Sequence, residues 1–349
     1  SDVMFTSGTT GKPKGVMTTH AQNLRVFGDW SDAVGLDAGD QYLIVNPFFN
    51  AFGYKAGILA AMMRGATMRP EAVFDVDRVL ERIAAERISM LPGPPTLFQS
   101  LLHHPRRAES DLSSLRLAVT GAAVIPTSLI VAMRDDLGFD RVVTGYGLTE
   151  ACGTVTMCRA DDDPQTIATT SGRAIPGVEV AVIDENGKPL PPATPGEIVC
   201  RGYNVMVGYF DDPEQTAEAI DADGWLHTGD IGTLDENGNI AITDRLKDLF
   251  IVGGFNAYPA EIEATLVTHP AIAQAAVIGV PDARMGEVGM AFVVLRPGES
   301  VGEAELISWS RDRMANYKVP RRVRVVSSLP LNASGKVLKT ELRTLAADA

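Results

Sequence analysis

Residues 115–126 read LRLAVTGAAVIP, an apolar run that passes into a turn of small residues. Upstream, residues 88–95 read ISMLPGPP, a shorter apolar run that ends in glycine and prolines. Both runs have the length and bounds of buried strands. Before them, apolar residues recur at helical spacing: Val76, Val79, Leu80, Ile83 and Ala84. This alternation of helix and strand signals predicts an α/β fold with a largely parallel, doubly wound sheet.

The carboxyl ends of these strands are the expected place for a ligand, because open α/β sheets bind ligands there. Gly121 and Ala122 follow the apolar run of residues 115–120, and Tyr146 and Gly147 stand at the end of the next one. We therefore expect both loops to take part in binding.

The chain changes character at about residue 172, where a mainly β section begins. Its two predicted hairpins turn at Asn186-Gly187 and at Asn237-Gly238, since Asn-Gly is a strong hairpin signal.

After Asp244 the sequence predicts a compact α+β tail. The tail has a helix that opens at Pro259, two apolar strands, and a second helix near residues 303–314. We therefore expect a large domain over residues 1–244 and a small C-terminal domain over residues 245–349. The charged stretch DRLKDLF (244–250) suits a hinge between them.

The composition limits the function. The chain has 349 residues, a length that predicts two or more domains. Its hydrophobic residues, 45% of the total, are enough for a sizeable core. Its net charge of −13 argues against nucleic acid as the main partner. The three cysteines form no C-x-x-C pair, the five histidines show no metal-ligand spacing, and no apolar run approaches the ~18 residues that span a bilayer. We therefore expect a cytoplasmic protein without an integral membrane segment.

Residues 5–15 read FTSGTTGKPKG and combine hydroxyls, glycines and lysines. The stretch is not a Walker phosphate loop, because Gly11-Lys12 is followed by Pro13 instead of Ser or Thr. Hydroxyls and cations on a glycine-rich backbone suit a polyphosphate, but Gly/Ser/Thr stretches are also common linkers. Taken alone, the stretch leaves linker and phosphate loop equally open.

The motif YGLTE (146–150) offers an aromatic ring, a hydroxyl and a carboxylate within one short segment. Tyr146 could stack on a base, Thr149 could bond a phosphate, and Glu150 could ligate Mg²⁺. The alternative is an ordinary turn with a solvated glutamate.

Two further motifs lie in the second half of the chain. In HTGD (227–230) and DR (244–245), Asp230 and Arg245 could hold a ribose or form an ordinary surface ion pair. In SGK (334–336), Lys336 taken alone reads as a solvated lysine.

Together, in this order and spacing, the motifs resemble the adenylate-forming superfamily of acyl-CoA synthetases, adenylation domains of peptide synthetases, and luciferase. The similarity extends over essentially the whole chain and includes GEIVCRGYNVMVGYF (196–210), DRLKDLFIVGGFNAYPAEIE (244–263) and PLNASGK (330–336). It implies an acid–thiol ligase of the acyl-CoA synthetase branch, which converts a carboxylic acid to acyl-AMP and then to acyl-CoA. The implied cofactors are ATP, Mg²⁺ and coenzyme A. The implied partner is a small-molecule carboxylate, and a homodimer is compatible with the resemblance.

The resemblance also implies roles for individual residues. Lys336, Thr149 and Glu150 would be catalytic, with Glu150 holding the metal. ATP or AMP would be bound by one set of residues: Thr6, Ser7, Gly8, Thr9, Thr10, Gly11, Lys12, Gly121, Ala122, Tyr146, Gly147, Thr149, Asp230, Arg245 and Lys336. The C-terminal domain would be mobile, with Lys247 at the hinge and Gly254 lining the coenzyme A tunnel.

The family usually carries a long segment before the loop of residues 5–15. Because this loop stands almost at the first residue here, we expect a shortened enzyme or one piece of a split enzyme. The missing segment bears on whether such a chain is active, and not on the family to which it is similar.

The resemblance places residues 46–57, NPFFNAFGYKAG, at the acyl pocket, with Phe49, Asn50, Phe52 and Gly53 lining it. Amino-acid-activating relatives have an aspartate in this segment to pair with the substrate ammonium, and an unpaired buried ammonium is costly. No acid is present, so an amino acid substrate is disfavoured. Fatty-acyl relatives usually have histidine at the position of Asn50. The segment is most similar to those of actinobacterial ligases for fatty acids or steroid-ring-derived propanoates.

Two other functions stay open at this point. One is an adenylation domain that loads a carrier protein, which shares the first step and differs in the thiol acceptor. The other is a non-catalytic fragment that binds AMP. Pyrophosphate release over a panel of carboxylates separates an enzyme from a binder.

Overall fold

The computed structural model describes residues 1–6, 13–121, 125–246, 248–331 and 337–347. The chain forms two compact units. The first comprises Ser1–Thr228 with Gly232–Ile242, and the second comprises Gly229–Ile231 with Thr243–Ala349. The division therefore runs through a single hairpin.

The elements as far as this hairpin are numbered along the chain. The strands are β1 (Asp2–Thr6), β2 (Lys14–Thr18), β3 (Gln41–Ile44), β4 (Thr67–Pro70), β5 (Met90–Pro92), β6 (Leu117–Thr120), β7 (Arg141–Tyr146), β8 (Thr156–Met157), β9 (Arg173–Ala174), β10 (Val178–Ile183), β11 (Gly196–Gly202), β12 (Gly208–Tyr209), β13 (Leu226–Leu234) and β14 (Ile240–Arg245). The α-helices are α1 (His20–Val34), α2 (Ala60–Arg64), α3 (Val76–Glu86), α4 (Pro95–Leu102), α5 (Thr127–Asp135), α6 (Pro164–Thr169) and α7 (Pro213–Ala219). A π-helix spans Phe52–Leu59, and 3₁₀ turns span Pro105–Glu109 and Thr149–Ala151.

The main sheet has seven strands in the order β4-β3-β5-β6-β7-β8-β9. The strands from β4 to β7 pair in parallel, and β8 and β9 add antiparallel strands at one side. All four residues of β6 are buried, as expected for a strand covered on both faces. The predicted parallel α/β sheet is confirmed.

The helix predicted before β5 is also confirmed. In α3 the apolar residues Val79, Leu80 and Ile83 are buried on one face. Asp75 caps the helix by accepting a hydrogen bond from the amide of Arg78 at 2.9 Å.

Two smaller sheets complete the first part of the fold. The strands β1, β2 and β12 form one antiparallel sheet, in which Thr6 lies opposite Lys14. This pairing holds together the two ends of the segment between them. The other sheet has the order β10-β11-β13-β14.

Both predicted Asn-Gly turns place their glycine in the left-handed region. Gly187 and Gly238 each have a φ of +78°, and the preceding Asp184 and Asp235 accept hydrogen bonds from downstream amides. The second loop joins β13 to β14 as predicted. The first lies in the connection between β10 and β11, which pair antiparallel as predicted, and it closes on an additional isolated bridge between Ile183 and Pro189.

The second unit has its own sheet and core. Its elements are β15 (Phe250–Val252), β16 (Phe255–Ala257), α8 (Pro259–Leu266), β17 (Ile272–Asp282), β18 (Gly286–Leu295), α9 (Glu303–Arg311), β19 (Arg322–Val325) and α10 (Lys339–Ala347). The sheet order is β16-β15-β18-β17, and β19 pairs in parallel with β18. These elements match the α+β tail expected from the sequence. Within the described part of the chain, no helix is long and apolar enough to cross a membrane.

The loop glycines give a first testable prediction. Gly238→Ala and Gly187→Ala should each destabilise the chain by about 1–2 kcal/mol, because a side chain in the left-handed region clashes with its own backbone. Neither position has a neighbour within 4 Å, so strain is the only expected effect. Urea denaturation measures the loss. The matched control is Gly39→Ala, at a position with equally open space and no left-handed φ; an equal loss in the control would contradict the explanation.

Candidate functional site

The site in the first unit is built at the carboxyl edge of β6 and β7. Gly121 follows β6, and Tyr146 is the last residue of β7, where it is buried. A side chain at Gly147 would place its Cβ 2.1 Å from the carbonyl oxygen of Gly153. Only glycine lets residues 147–153 fold back so tightly at this edge. Ala122 lies outside the described residues.

The 3₁₀ turn Thr149–Ala151 presents Glu150 at this edge. The backbone carbonyl of Glu150 accepts a hydrogen bond from the amide of Met206 at 2.8 Å. Its carboxylate Oε1 accepts one from the hydroxyl of Tyr209 at 3.0 Å. Burial raises the pKa of Tyr209, and the neighbouring charge of Glu150 raises it further, so this hydroxyl remains a donor. The carboxylate of Glu150 is thereby oriented while the residue stays partly exposed.

A lysine lies on the other side of Tyr209. Residue Tyr209 of β12 is in register with Val16 of β2, and this pairing brings Lys14 to the same place. The Lys14 ammonium stands 4.8 Å from the centre of the Tyr209 ring and also bonds the side chain of Gln215. A cation and an oriented carboxylate therefore flank one aromatic ring.

Lys14 and Thr6 are described residues on either side of the central part of the opening loop. Thr6 is partly exposed at the end of β1, opposite Lys14. The predicted phosphate-binding residues between them lie outside the described residues: Ser7, Gly8, Thr9, Thr10, Gly11 and Lys12. The described flanks end next to a cation and a carboxylate, an arrangement suited to an anion that carries a metal.

The predicted acyl-pocket residues lie at the start of the π-helix. Asn50 accepts a hydrogen bond from the amide of Gly53 at 2.9 Å through its side chain, and its carbonyl accepts one from Tyr54 at 3.0 Å. Phe49 is exposed, and Phe52 is partly buried against the core. A Cβ at Gly53 would stand 2.1 Å from the carbonyl oxygen of Pro47, so the chain requires glycine there. Asn50 therefore bonds the first turn of this helix through its side chain and its carbonyl.

The second unit has a separate set of candidate residues. Arg245 Nε lies 3.1 Å from Asp230 Oδ1; the aspartate is buried and the arginine side chain is 50% exposed. The amide of Leu246 donates to the carbonyl of Gly229 at 2.8 Å, which fixes the strands that carry this pair. Gly254 is exposed between β15 and β16, with a φ of +88°. Lys247 and Lys336 lie outside the described residues.

Asp244, beside this pair, is a buried carboxyl group that the sequence did not single out as a site residue. It accepts hydrogen bonds from the amides of Arg245 and Ala260, both at 2.7 Å. Burial raises the pKa of Asp244 to about 6, against these hydrogen bonds and the charge of Lys339, which lower it. Asp244 thus connects β14 to the first turn of α8.

Neither a metal cluster nor a cysteine nucleophile is evident in the described ranges. No group of three or more His, Cys, Asp and Glu side chains there could hold a metal ion. Cys152, Cys158 and Cys200 are buried free thiols, and burial raises the pKa of Cys152 to about 11. Glu150 is therefore a single-carboxylate metal candidate.

Comparison with known families assigns both parts of the chain. Residues 2–210 match the AMP-binding enzyme family, and residues 261–336 match the AMP-binding enzyme C-terminal domain. This chain belongs to the AMP-binding enzyme family. The resemblance to adenylate-forming enzymes of the acyl-CoA synthetase branch is confirmed, and so is the fold class that it implied.

Similar proteins of this family include two named ligases. The 3-[(3aS,4S,7aS)-7a-methyl-1,5-dioxo-octahydro-1H-inden-4-yl]propanoyl:CoA ligase of Rhodococcus jostii (strain RHA1) is 57% identical over 98% of this chain and 64% of its own length. The ligase of the same name from Mycobacterium tuberculosis (strain ATCC 25618 / H37Rv) is 55% identical over 99% of this chain and 66% of its own length. The chain thus spans about two thirds of the length of these relatives.

A solved structure of the family has a similar fold. The o-succinylbenzoate coenzyme A synthetase of Bacillus subtilis, in complex with ATP and magnesium ion, superposes with a TM-score of 0.87. It is 34% identical and covers 98% of this chain and 69% of its own.

Two residues of the AMP-binding fold at this edge were missed by the sequence analysis. Tyr209 belongs to the quoted segment 196–210, and Lys14 to the opening loop, but neither was predicted as a site residue. The signal for Lys14 was its charge within that loop. Nothing in the local sequence indicates that Tyr209 bonds Glu150, since the two residues are 59 positions apart.

Asp244 gives a prediction about pH. The carboxyl pKa is about 6 in the folded chain against a reference value of 3.8, so the folded state holds this proton more tightly. The resulting stabilisation is complete below about pH 3.8 and is lost as the pH rises through about 6. Lowering the pH from about 7.5 to about 5.5 should therefore stabilise the second unit by about 1 kcal/mol.

Hydrogen exchange of β17 and β18 measures this stability at the two pH values. Asp244→Asn should remove the gain. The control Asp248→Asn, at an aspartate paired with Arg343, should retain it. A gain that persists in Asp244→Asn would assign the effect to another group.

Proposed function

We propose that this chain activates a carboxylic acid with ATP to acyl-AMP and pyrophosphate, and transfers the acyl group to coenzyme A with release of AMP. It would then be an AMP-forming acid–thiol ligase. The observation that carries the proposal is the arrangement of Lys14, Tyr209 and Glu150 at the carboxyl edge of the sheet, beside the ends of the hydroxyl-rich loop. A phosphate-binding loop needs a cation and a metal-competent carboxylate at this point.

The residues present fit a magnesium ion carried by ATP. Magnesium in nucleotide sites usually takes one or two carboxylates together with phosphate oxygens and water. Glu150 supplies one carboxylate, and Tyr209 fixes its direction from 3.0 Å. When bound, the ion would neutralise phosphate charge. Every other contribution to the first step comes from the protein itself.

The first step brings a carboxylate towards a polyanion, so positioning and charge neutralisation should dominate catalysis. In this proposal, Thr149 contacts the α-phosphate and Lys336 carries a positive charge to the carboxylate and the α-phosphate. The β- and γ-phosphates are held by the opening loop: Thr6, Ser7, Gly8, Thr9, Thr10, Gly11 and Lys12.

The remaining nucleotide contacts follow the family assignment. Gly121, Ala122, Tyr146 and Gly147 surround the adenine. Asp230 and Arg245 hold the ribose, and their 3.1 Å contact orients both side chains for two hydroxyls. In thioester formation, the C-terminal domain of residues 245–349 turns about Lys247, and Gly254 lines the path of the pantetheine.

The acyl substrate in this proposal is uncharged apart from its carboxylate. Residues 46–57 include one charged residue, Lys55, and it is fully buried. Phe49 and Phe52 supply apolar surface. The two similar ligases are named for a bicyclic propanoate. We therefore assign an alicyclic, steroid-ring-derived propanoate ahead of a linear fatty acid. Because all three cysteines are free thiols, we place the reaction in a reducing compartment such as the cytoplasm.

Pyrophosphate release over a carboxylate panel tests this function. We expect turnover with alicyclic and aliphatic propanoates and little with free amino acids, since the segment offers no acid for an ammonium. Addition of coenzyme A should yield the acyl thioester and AMP. The control omits the carboxylate.

The other outcomes of this panel identify the rival functions. Acyl-AMP that passes to a carrier protein and not to coenzyme A would indicate a carrier-loading adenylation domain. AMP binding without pyrophosphate release from any carboxylate would indicate a non-catalytic fragment. Preference for amino acids would contradict the assigned substrate class.

Lys336 gives a prediction about the two half-reactions. Lys336→Ala should slow acyl-AMP formation by about 10²–10³, because one well-placed charge in a water-poor site is worth that much. Thioester formation from supplied acyl-AMP should be largely unchanged. The two steps are measured separately, by pyrophosphate release and by thiol consumption.

The matched control is Lys188→Ala, which removes an exposed lysine from the loop after β10. It should change neither half-reaction. Equal slowing of both steps by Lys336→Ala, or of neither, would contradict the role assigned to Lys336.

A further inference from the structure

A fully buried lysine lies in the π-helix of the proposed acyl segment. The side chain of Lys55 has no exposed surface. Its ammonium stands 3.2 Å from Asp2 Oδ1, 3.1 Å from Thr18 Oγ1 and 3.7 Å from Cys152 Sγ. An ammonium has three N–H donors, so each donor has one acceptor here. A charge buried this deeply is stable only with such partners.

The acceptors are bonded to one another as well. Thr18 donates to Asp2 Oδ1 at 2.8 Å, and Asn23 donates to Asp2 Oδ2 at 2.7 Å. The thiol of Cys152 donates to Asn23 Oδ1 at 2.9 Å. We call Asp2, Thr18, Asn23, Lys55 and Cys152 the Lys55 cluster. Its members come from β1, β2, α1, the π-helix and the turn after β7, so one polar network joins five segments.

The charges in the cluster balance. Burial alone would raise the pKa of Asp2, but the hydrogen bond from Thr18 and the charge of Lys55 hold it below its usual value. Burial raises the pKa of Cys152 to about 11, so the thiol remains a donor at neutral pH. The network therefore contains one cation and one anion. Moving Lys55 or Asp2 away from the other would leave an unpaired buried charge.

The cluster connects the acyl segment to the turn that carries Glu150. Lys55 is in the same π-helix as Phe52, and Cys152 ends the turn Thr149–Ala151 in a left-handed conformation. A second contact supports the connection, since a Cβ at Gly153 would lie 3.3 Å from the Cβ of Ala51. The two segments thus meet at a polar and at an apolar point. A π-helix is an uncommon structure that occurs frequently at functional sites.

We propose that Lys55 is a positioning residue, whose buried ion pair with Asp2 fixes the acyl segment against the Thr149–Ala151 turn. The position of this helix then sets where the acyl carboxylate stands relative to the α-phosphate. Lys55 itself does not touch the substrate. This inference rests on the proposed function for its kinetic consequences, and on the geometry alone for its structural ones.

The kinetic test is Lys55→Met, which keeps the length of the side chain and removes its charge. A misplacement of about 1 Å can reduce a rate by about 10²-fold, so kcat/KM for an alicyclic propanoate should fall by about that factor. The KM for ATP should stay within about two-fold, because the residues assigned to the adenine, the ribose and the β- and γ-phosphates lie outside the Lys55 cluster. A general loss of structure would change both constants together.

The structural test does not require activity. In Lys55→Met, residues 52–59 and residues 149–153 should lose hydrogen-exchange protection together. Alkylation of Cys152, located by mass spectrometry, should become faster, while alkylation of Cys158 and Cys200 should be unchanged. The control is Leu80→Ala, a core truncation in α3 outside the cluster, which should lower stability without this paired change.

A second variant covers the case in which Lys55→Met folds poorly. Asp2→Asn combined with Lys55→Met removes both charges, and neutralising a buried pair restores most of the stability that breaking it loses. We expect this variant to fold and to keep the reduced kcat/KM and the paired loss of protection. Recovery of normal kinetics together with stability would show that the cluster serves folding alone and would overturn the proposal.

Failure of the inference and failure of the proposed function are distinguishable. If the unchanged chain forms no acyl-AMP from any carboxylate, the proposed function is wrong, and exchange and alkylation still decide whether Lys55 fixes the acyl segment. If the chain is active but Lys55→Met leaves exchange, alkylation and kcat/KM unchanged, the positioning role is wrong.

Discussion

The parallel register of β6 and β7 is the constraint on which the first unit depends. Leu117 lies opposite Arg141 and Thr120 opposite Thr144, so β6 ends beside Thr144 and β7 continues to Tyr146. A shift by one residue would turn buried side chains to the opposite face, and β6 is buried along its whole length. Because the register is fixed, the loops after both strands meet at one edge. The folded-back loop from Gly147 to Gly153 then places Glu150.

Charge at this edge is organised around partners that come from distant strands. Tyr209 bonds Glu150 on one side and lies under Lys14 on the other. The Lys55 cluster repeats the principle around a fully buried cation, which is stable only with Asp2 and the neighbouring acceptors. Such a network holds each of its segments in place through several hydrogen bonds to the others. The proposed reaction between two anions would require such a fixed geometry.

The second unit uses a different balance of burial and exposure. Asp230 is buried while the side chain of Arg245 is half exposed, so the pair is held at one end and accessible at the other. Asp244, next in the chain to Arg245, accepts a hydrogen bond from the first turn of α8. Burial raises the pKa of its carboxyl group to about 6. A separate hydrophobic core supports these residues, which explains why the unit is compact by itself.

The sequence alone determined the alternation of strands and helices, the change to β structure, the α+β tail and the family, because each is recorded in local periodicity or in the order of motifs. It also indicated Glu150, Asp230 and Arg245 by residue type. The tertiary structure decided the partners. It brought Tyr209 to Glu150 and Asp2 to Lys55. Spacing along the chain reports only neighbours within a few residues. Long-range contacts are selected by the packing of whole strands and by the need to pair every buried charge.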